Sequence, residues 1–487
     1  MAEHCTVCTT RFPLWGRTCL VFLLLTGSAT YFVLPFISPF ISPPNIYALG
    51  PGFPIKRLEP SSSEFKPISF QSGRDRALNI NDSVPWINKQ QWKTVATTNN
   101  PEHSLSRYPY CNKLIENDEE EIARAKQFMN EHHRVVRRDE DYIRDTRNCA
   151  RFVRERGYIL DSSEKEKEFP IAFSIVFYTD LEQAERLLRA TYRPHNFYCL
   201  HVDKKSSPSI REAAKGLTSC LQNVFLSSRS VSVEWGQFSV LEPELICMQD
   251  LWKYKRWRYF INLTGQEFPL KTNLQLVEIL TALNGSNDVD CTTNRRDSGR
   301  WYNNFRAPHN IQPRKGNLHI TASRGFVDYV LHNPVAKDFE AWVNLTDVPD
   351  ETFFATMNHN PHLHVPGSYL GPPNTDAFMK PYLSRFKNWG HNWKDSEGRM
   401  NFNWPCLGKR VRTICIFGVG DLPSLTSRKE FFANKFHIDF EPLVLDCLEE
   451  WLWNMTMDGY SGRAEFDASF YRQLNIAHNH VQLEGYS

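Results

Sequence analysis

Between Ile171 and Leu280 two kinds of apolar pattern alternate, and few folds can accommodate that alternation. Ile171 to Phe177 is an unbroken apolar run, the form taken by a strand covered on both faces. Leu181, Ala184, Leu187 and Leu188 then recur at helix spacing, and Phe197 to Val202 and Val224 to Leu226 read as two more strands. Leu241, Leu245, Cys247, Met248 and Leu251 stripe a second helix. A further strand, Tyr259 to Leu263, passes through Gly265 and Pro269 into a helix with Thr272 or Asn273 at its cap. Strand and helix in turn predict an α/β domain, a mostly parallel sheet flanked by helices, with ligands at the carboxyl ends of the strands. Asp203 stands at one such end. The absence of a GxGxxG or Walker pattern argues against a dinucleotide or P-loop site.

Upstream of this region, residues 18–55 carry no charged side chain, and Cys19 to Phe36 is long and apolar enough to cross a bilayer. Arg11 and Arg17 face a single acid, Glu3, on its N-terminal side, which leaves the N-terminus cytosolic and the rest luminal. A cleaved signal peptide is the alternative, with Gly27-Ser28-Ala29 offering small residues for cleavage. The expected organisation is a cytosolic tail (1–17), a transmembrane signal-anchor (18–36), a luminal stem (37–110) and one large luminal domain (111–487). Eight prolines between Pro35 and Pro67, with Ser61 to Ser63, suit a stem that buries no core. From Cys111 a helical stripe begins, and Glu164 to Glu168 reads as a solvated connector. A net charge of +2 disfavours nucleic acid as a partner. Nine cysteines follow the apolar segment, enough in an oxidising compartment for four bridges and one thiol left over. Sequons occur at Asn81, Asn262, Asn284, Asn344 and Asn454; Asn262 falls in a buried strand and is expected to stay unmodified.

A series of segments runs in order through the luminal part: FPIAFSIVFYTD, LLRATYRPHNFYCLHVD, INLTGQEFPLKTN, TASRGFVDYVL, PDETFFAT, VPGS, RTICIFGVGDL and FFANKF. The series resembles the core 2 and I-branching β-1,6-N-acetylglucosaminyltransferases, whose wider family includes peptide O-xylosyltransferases. The resemblance implies a GT-A type fold in a single-pass type II Golgi membrane protein. It also implies an inverting transfer, with no metal or other cofactor, from a UDP-sugar to the 6-hydroxyl of a Gal/GalNAc residue in O-glycans. UDP-N-acetylglucosamine is the donor it favours, with glucose and xylose as alternatives. A luminal sugar-binding protein without catalysis is the competing class. Residue by residue, Glu351 takes the place of the base, Asp203 of the uridine contact, Arg412 and Lys435 of the diphosphate ligands, and Arg300 and Trp389 of acceptor contacts. The implied bridges are Cys111–Cys447, Cys149–Cys220, Cys199–Cys247 and Cys406–Cys415, leaving Cys291 free. Departures fall near the acceptor and donor sugar: Asp297 replaces a lysine, Val289 lies near an acceptor glutamate, His391 replaces a tyrosine, and Gly316-Asn317 replaces Gly-Ser.

The chemistry asks for these residue types. An in-line displacement at an anomeric carbon needs a group to take the proton of the attacking hydroxyl. Phe353 and Phe354 beside Glu351 predict a desolvated carboxylate with a raised pKa, and Asp350 predicts a helix cap. Two fixed cations can neutralise a departing diphosphate as a metal would. Asp288-Val289-Asp290 has the spelling of a metal motif, but its polar setting (NGSNDVDC) predicts an exposed loop and no metal site. No residue of INLTGQEFPLKTN is expected to carry chemistry.

Overall fold

The computed structural model describes residues 92–94, 108–292, 298–301, 306–373, 381–390 and 405–482. Trp92–Thr94 (β1) pairs antiparallel with His132–Arg134 (β2), so three residues of the expected stem are paired to the domain. The expected helical stretch after Cys111 is two helices, Cys111–Ile115 and Glu119–Glu131, separated by Asn117 in a left-handed conformation and capped by Asp118. The main alternation then gives β3 (Ile171–Phe177), β4 (Phe197–Val202), β5 (Val224–Leu226) and β6 (Tyr259–Thr264). After it come β7 (Glu267–Pro269), β8 (Asp288–Val289) and β9 (Ile320–Ser323). Then follow β10 (Phe386–Lys387), a hairpin of β11 (Lys409–Val411) and β12 (Ile414–Ile416), and β13 (Phe432–Asn434).

The central sheet has the order β5-β4-β3-β6-β9-β8, with the first four strands parallel and β9 antiparallel to both of its neighbours. The two-residue period of a strand sorts its side chains into two layers. Ile171, Phe173, Ile175 and Phe177 face the layer of helices Leu181–Thr191, Pro208–Ser219 and Asn273–Ala282. Ala172 faces the layer of Glu242–Trp252 and Arg324–His332, and Ser174 donates to Glu244 on that side. Each large side chain so buried contributes roughly 1.5–3 kcal/mol, which is why the apolar run is continuous. Thr272 caps its helix, with Gln275 completing a capping box. A second sheet, β10-β13-β7, packs against helix Leu443–Tyr460, which is bridged to the N-terminal helix through Cys111–Cys447.

Two expectations need correction. Glu164–Glu168 is a short capped helix, and Glu166 within it is fully buried, accepting from Asn273 Nδ2 and the Tyr460 hydroxyl. Asp288 and Val289 form a buried edge strand of the central sheet rather than an exposed loop. No described helix is long and apolar enough to cross a membrane, and the expected anchor, Asn81, Asp297 and His391 lie outside the described residues.

Candidate active site

The topology brings distant segments to one edge of the sheet. Parallel strands β4 and β6 deliver Asp203 and Gly265 at their carboxyl ends. Because β9 is antiparallel, the residues leading into it, Lys315 to His319, reach the same edge, as do those leaving β8. Gly265 is required there, since a Cβ would lie 2.8 Å from that of Phe177.

Asp203 is buried, with Oδ1 accepting from the Lys205 N–H (2.7 Å) and Oδ2 from the Val233 N–H (3.2 Å). The second bond anchors a loop whose Gly236 carbonyl accepts from Val348 N–H (3.1 Å), three residues before Glu351. Glu351 closes the turn Pro349–Glu351. Its Oε2 accepts from Arg300 Nη1 (2.5 Å) and lies 3.3 Å from Lys315 Nζ. The backbone is fixed as well: Gly316 N–H donates to the Glu351 carbonyl (2.7 Å), and Trp301 Nε1 donates to Thr352 Oγ1 (3.2 Å). A Cβ on Gly316 would sit 2.1 Å from the Asp290 carbonyl oxygen, so this close approach admits only glycine.

Burial pushes the Glu351 carboxyl up, but Lys315 and Arg300 outweigh it and hold the group below its ordinary value. The rise expected from Phe353 and Phe354 is therefore not found. Both rings are fully buried against Phe339 and Phe326 in the core. Asp350 takes the upward shift instead, to about 6, through burial and the charge of Glu351. It does not cap the next helix, and its Oδ1 is buried without a partner among the described residues.

A second group forms around the β11–β12 hairpin. Arg412 and Thr413 are its two turn residues, both at positive φ (48° and 72°), as a two-residue I′ turn requires. A β-branched residue in that region is uncommon and strained. Arg412 is exposed on this turn, and it and Lys435, half-buried after β13, act on each other electrostatically. Burial lowers the Lys435 pKa, with Glu267 opposing and Arg412 adding to the effect. Trp389, 44% exposed, bridges to Ile414, and Gly390 N–H donates to the Thr413 carbonyl (2.7 Å).

Between the two groups runs a chain of buried polar contacts. Glu267 Oε1 accepts from Asn434 Nδ2 (3.0 Å) and Thr264 Oγ1 (3.1 Å) and lies 2.8 Å from His319 Nε2; Oε2 accepts from Arg385 Nε (2.8 Å). Burial raises the Glu267 carboxyl, yet Arg385 and His319 hold it at about 2. Lys387 Nζ donates to His319 Nδ1 (3.0 Å) and Asn317 Oδ1 (2.8 Å), and Asn317 Nδ2 donates to Asp290 Oδ2 (2.9 Å). Burial lowers Lys387 to about 8.

One carboxylate between two cations, and a separate pair of basic side chains near an exposed tryptophan, suit a group transfer with an anionic leaving group. Comparison with known proteins shows the family. The model of the Core-2/I-Branching enzyme family matches residues 171–422. A human β-1,3-galactosyl-O-glycosyl-glycoprotein β-1,6-N-acetylglucosaminyltransferase is 35% identical over 371 residues, covering 72% of this chain and 86% of the relative. A second human enzyme, carrying the same name with the number 3, is 37% identical over 333 residues, covering 64% and 75%. A bovine herpesvirus 4 enzyme of that name is 33% identical over 380 residues, covering 74% and 86%.

This chain belongs to the Core-2/I-branching enzyme family.

It is thus a glycosyltransferase by family. Of the family positions carried over, Arg300 and Glu351 are in direct contact, Arg412 and Lys435 share one neighbourhood, and Trp389 lies beside their hairpin. Val289, near a family acceptor position, is buried in the core and faces no opening. Asp288 accepts from Leu383 N–H, Ser384 N–H and Ser384 Oγ, which makes it a clamp on that loop. Lys315, Glu267 and Lys387 were not anticipated. The only signals for them were the Lys-Gly pair at 315–316 and the acid inside INLTGQEFPLKTN. Disulfides join Cys111–Cys447, Cys149–Cys220, Cys199–Cys247 and Cys406–Cys415, and Cys291 is free and buried. Asn284, Asn344 and Asn454 are exposed, whereas Asn262 is buried, donating to the Leu318 carbonyl and accepting from Ile320 N–H.

Proposed function

We propose that this chain is an inverting, metal-independent β-1,6-N-acetylglucosaminyltransferase. It moves N-acetylglucosamine from UDP-N-acetylglucosamine to the 6-hydroxyl of a Gal/GalNAc residue in O-glycans, a core 2-like branch. The observation that carries the reading is the Glu351 carboxylate held by Arg300 and Lys315, near the edge that also presents Asp203. The names of the relatives supply the sugar and the linkage.

In this reading Asp203 accepts from the uridine, and Arg412 and Lys435 neutralise the diphosphate as the bond to the anomeric carbon breaks. A strained turn that projects Arg412 fits that role, since strain is retained where the surrounding structure enforces it. Glu351 removes the proton from the attacking hydroxyl on the opposite face of the sugar. A carboxylate in two ion pairs is a weak base. The acceptor sugar, taking the Arg300 guanidinium as its own ligand, would free Oε2 and raise its basicity as the complex forms. Trp389 offers an exposed ring face for the acceptor.

The chain is placed in the Golgi membrane as a type II protein, anchored by residues 18–36, with stem 37–110 and catalytic domain 111–487 in the lumen. Asn81, Asn284, Asn344 and Asn454 are its proposed glycan sites. A panel of UDP-sugars with a Galβ1,3GalNAc acceptor, and NMR of the product linkage, tests the reading. A β-1,6-linked N-acetylglucosamine product is expected, and no transfer from any donor would sink it.

A further inference from the structure

Glu267 opens β7 just after the turn that follows β6, within the segment INLTGQEFPLKTN, and the reading of Lys435 as a diphosphate ligand gives it a task. It is fully buried. Four side chains converge on its two oxygens: Thr264, Asn434, Arg385 and His319. Two features connect it to Lys435. In the β7–β13 pair Glu267 is opposite Asn434, and the Asn434 amide donates to it, fixing the residue before Lys435. On the other side, Phe436 N–H donates to the Gln266 carbonyl (2.9 Å), and the Phe436 carbonyl accepts from Gln183 Nε2 (2.9 Å). Lys435 is thus clamped before and after by Gln266 and Glu267.

The charges point the same way. Among the described residues, the groups acting on Lys435 are Glu267 from β7 and Arg412 from the hairpin turn, with His437 two residues along. Glu267 is the only anion of the three. Without it, burial and Arg412 would both favour the neutral amine, which cannot neutralise a diphosphate.

We propose that Glu267 is the positioning residue of the diphosphate site, holding Lys435 in place and in its ammonium form for the leaving group. Glu267 touches no reacting atom in this scheme. It acts on the diphosphate through Lys435, so its loss affects phosphate recognition and leaves nucleoside recognition intact.

The test measures UDP and uridine binding by calorimetry and ligand-observed NMR across pH, in the intact luminal protein and its Glu267→Gln variant. Removing the acid lowers the Lys435 pKa further, so the loss of UDP affinity with rising pH should set in at a lower pH in the variant, by up to about tenfold per unit lost where the amine is neutral, and the difference should narrow as the pH falls. Uridine affinity should not change at any pH. Superimposable UDP profiles for the two proteins would overturn the proposal. If Glu267→Gln loses uridine binding as well, Glu267→Asp decides. That variant keeps the charge and withdraws it from Asn434, so weaker UDP binding with intact uridine binding is expected, and unchanged UDP binding overturns the proposal. Failure of the native protein to bind UDP at all is a different result, and counts against the reading of Lys435 itself.

Discussion

Lys315→Met isolates the electrostatics of the base. The substitution keeps the aliphatic stem and removes one of the two cations on Glu351 Oε2, leaving Arg300 for the acceptor. A unit charge pair at 3.3 Å is worth roughly 5 kcal/mol at an effective dielectric of 20. Glu351 is 30% exposed, so solvent screening reduces this, and exposed pairs contribute about 1 kcal/mol. Even the lower figure is enough to move the titration of the carboxyl upward. The sign follows from what remains, because burial, which pushes Glu351 up, is then opposed by Arg300 alone. The base works as the carboxylate, so the acid limb of kcat/KM against pH should move upward in the variant. At neutral pH the more basic carboxylate should keep or slightly raise kcat. Initial rates over an acidic-to-neutral pH series, with UDP affinity measured in parallel, make the test. An unmoved acid limb in a variant that still binds UDP would refute the view that Lys315 holds Glu351 in its ionised form.

Glu351→Gln should retain UDP binding while turnover falls by about 10²–10⁴; near-native turnover would remove it as the base. Arg412→Ala and Lys435→Ala should each weaken UDP binding in calorimetry, and unchanged affinity in both would refute their assignment. Transfer should survive EDTA, and loss on chelation with rescue by Mn²⁺ would rule out the metal-free scheme. Glu185 and Glu267 are both driven up by burial but held at about 2 by arginines. Their contribution to stability is therefore complete above the unfolded carboxylate pKa of about 4.3 and is lost as pH falls toward 2. Thermal melting as a function of pH should show the midpoint dropping across that window, and a flat profile would contradict the ion pairing.

How much of this could be read from the sequence depended on whether a residue's role was local. The strands at 171–177, 197–202, 224–226 and 259–264 were legible because burial on both faces leaves a continuous apolar run. The cap was legible to within one residue, Thr272 or Asn273, because capping involves only the next three residues, and Thr272 is the one that caps. The failures share a cause. Asp288 looks like loop chemistry in NGSNDVDC, yet its carboxylate is used by Leu383 and Ser384, almost a hundred residues away. Glu166 looks solvated in EKEKE and is buried by Asn273 and Tyr460. The phenylalanines after Glu351 suggested desolvation, but helix geometry turns them into the core while Lys315 and Arg300 arrive from other segments. A pKa is set by what converges in space, so it is the property least visible along the chain.

The same argument explains why INLTGQEFPLKTN identifies the family yet suggested no chemistry. Gly265 is fixed by the approach of Phe177, Asn262 by its bonds to the segment entering β9, and Thr272 by its helix. Each constraint is architectural, and together they fix one geometry. That geometry puts Glu267 between Asn434 on one side and His319 with Arg385 on the other. Asn434 leads to Lys435, where the diphosphate would bind, and His319 leads through Lys387 and Asn317 toward the segment that holds Glu351. A buried carboxylate is costly unless it is paired, and here both oxygens are: Oε1 by Asn434, Thr264 and His319, and Oε2 by Arg385. In the proposed reading this segment therefore sets the spacing between Glu351 and Lys435, and an in-line displacement would depend on that spacing.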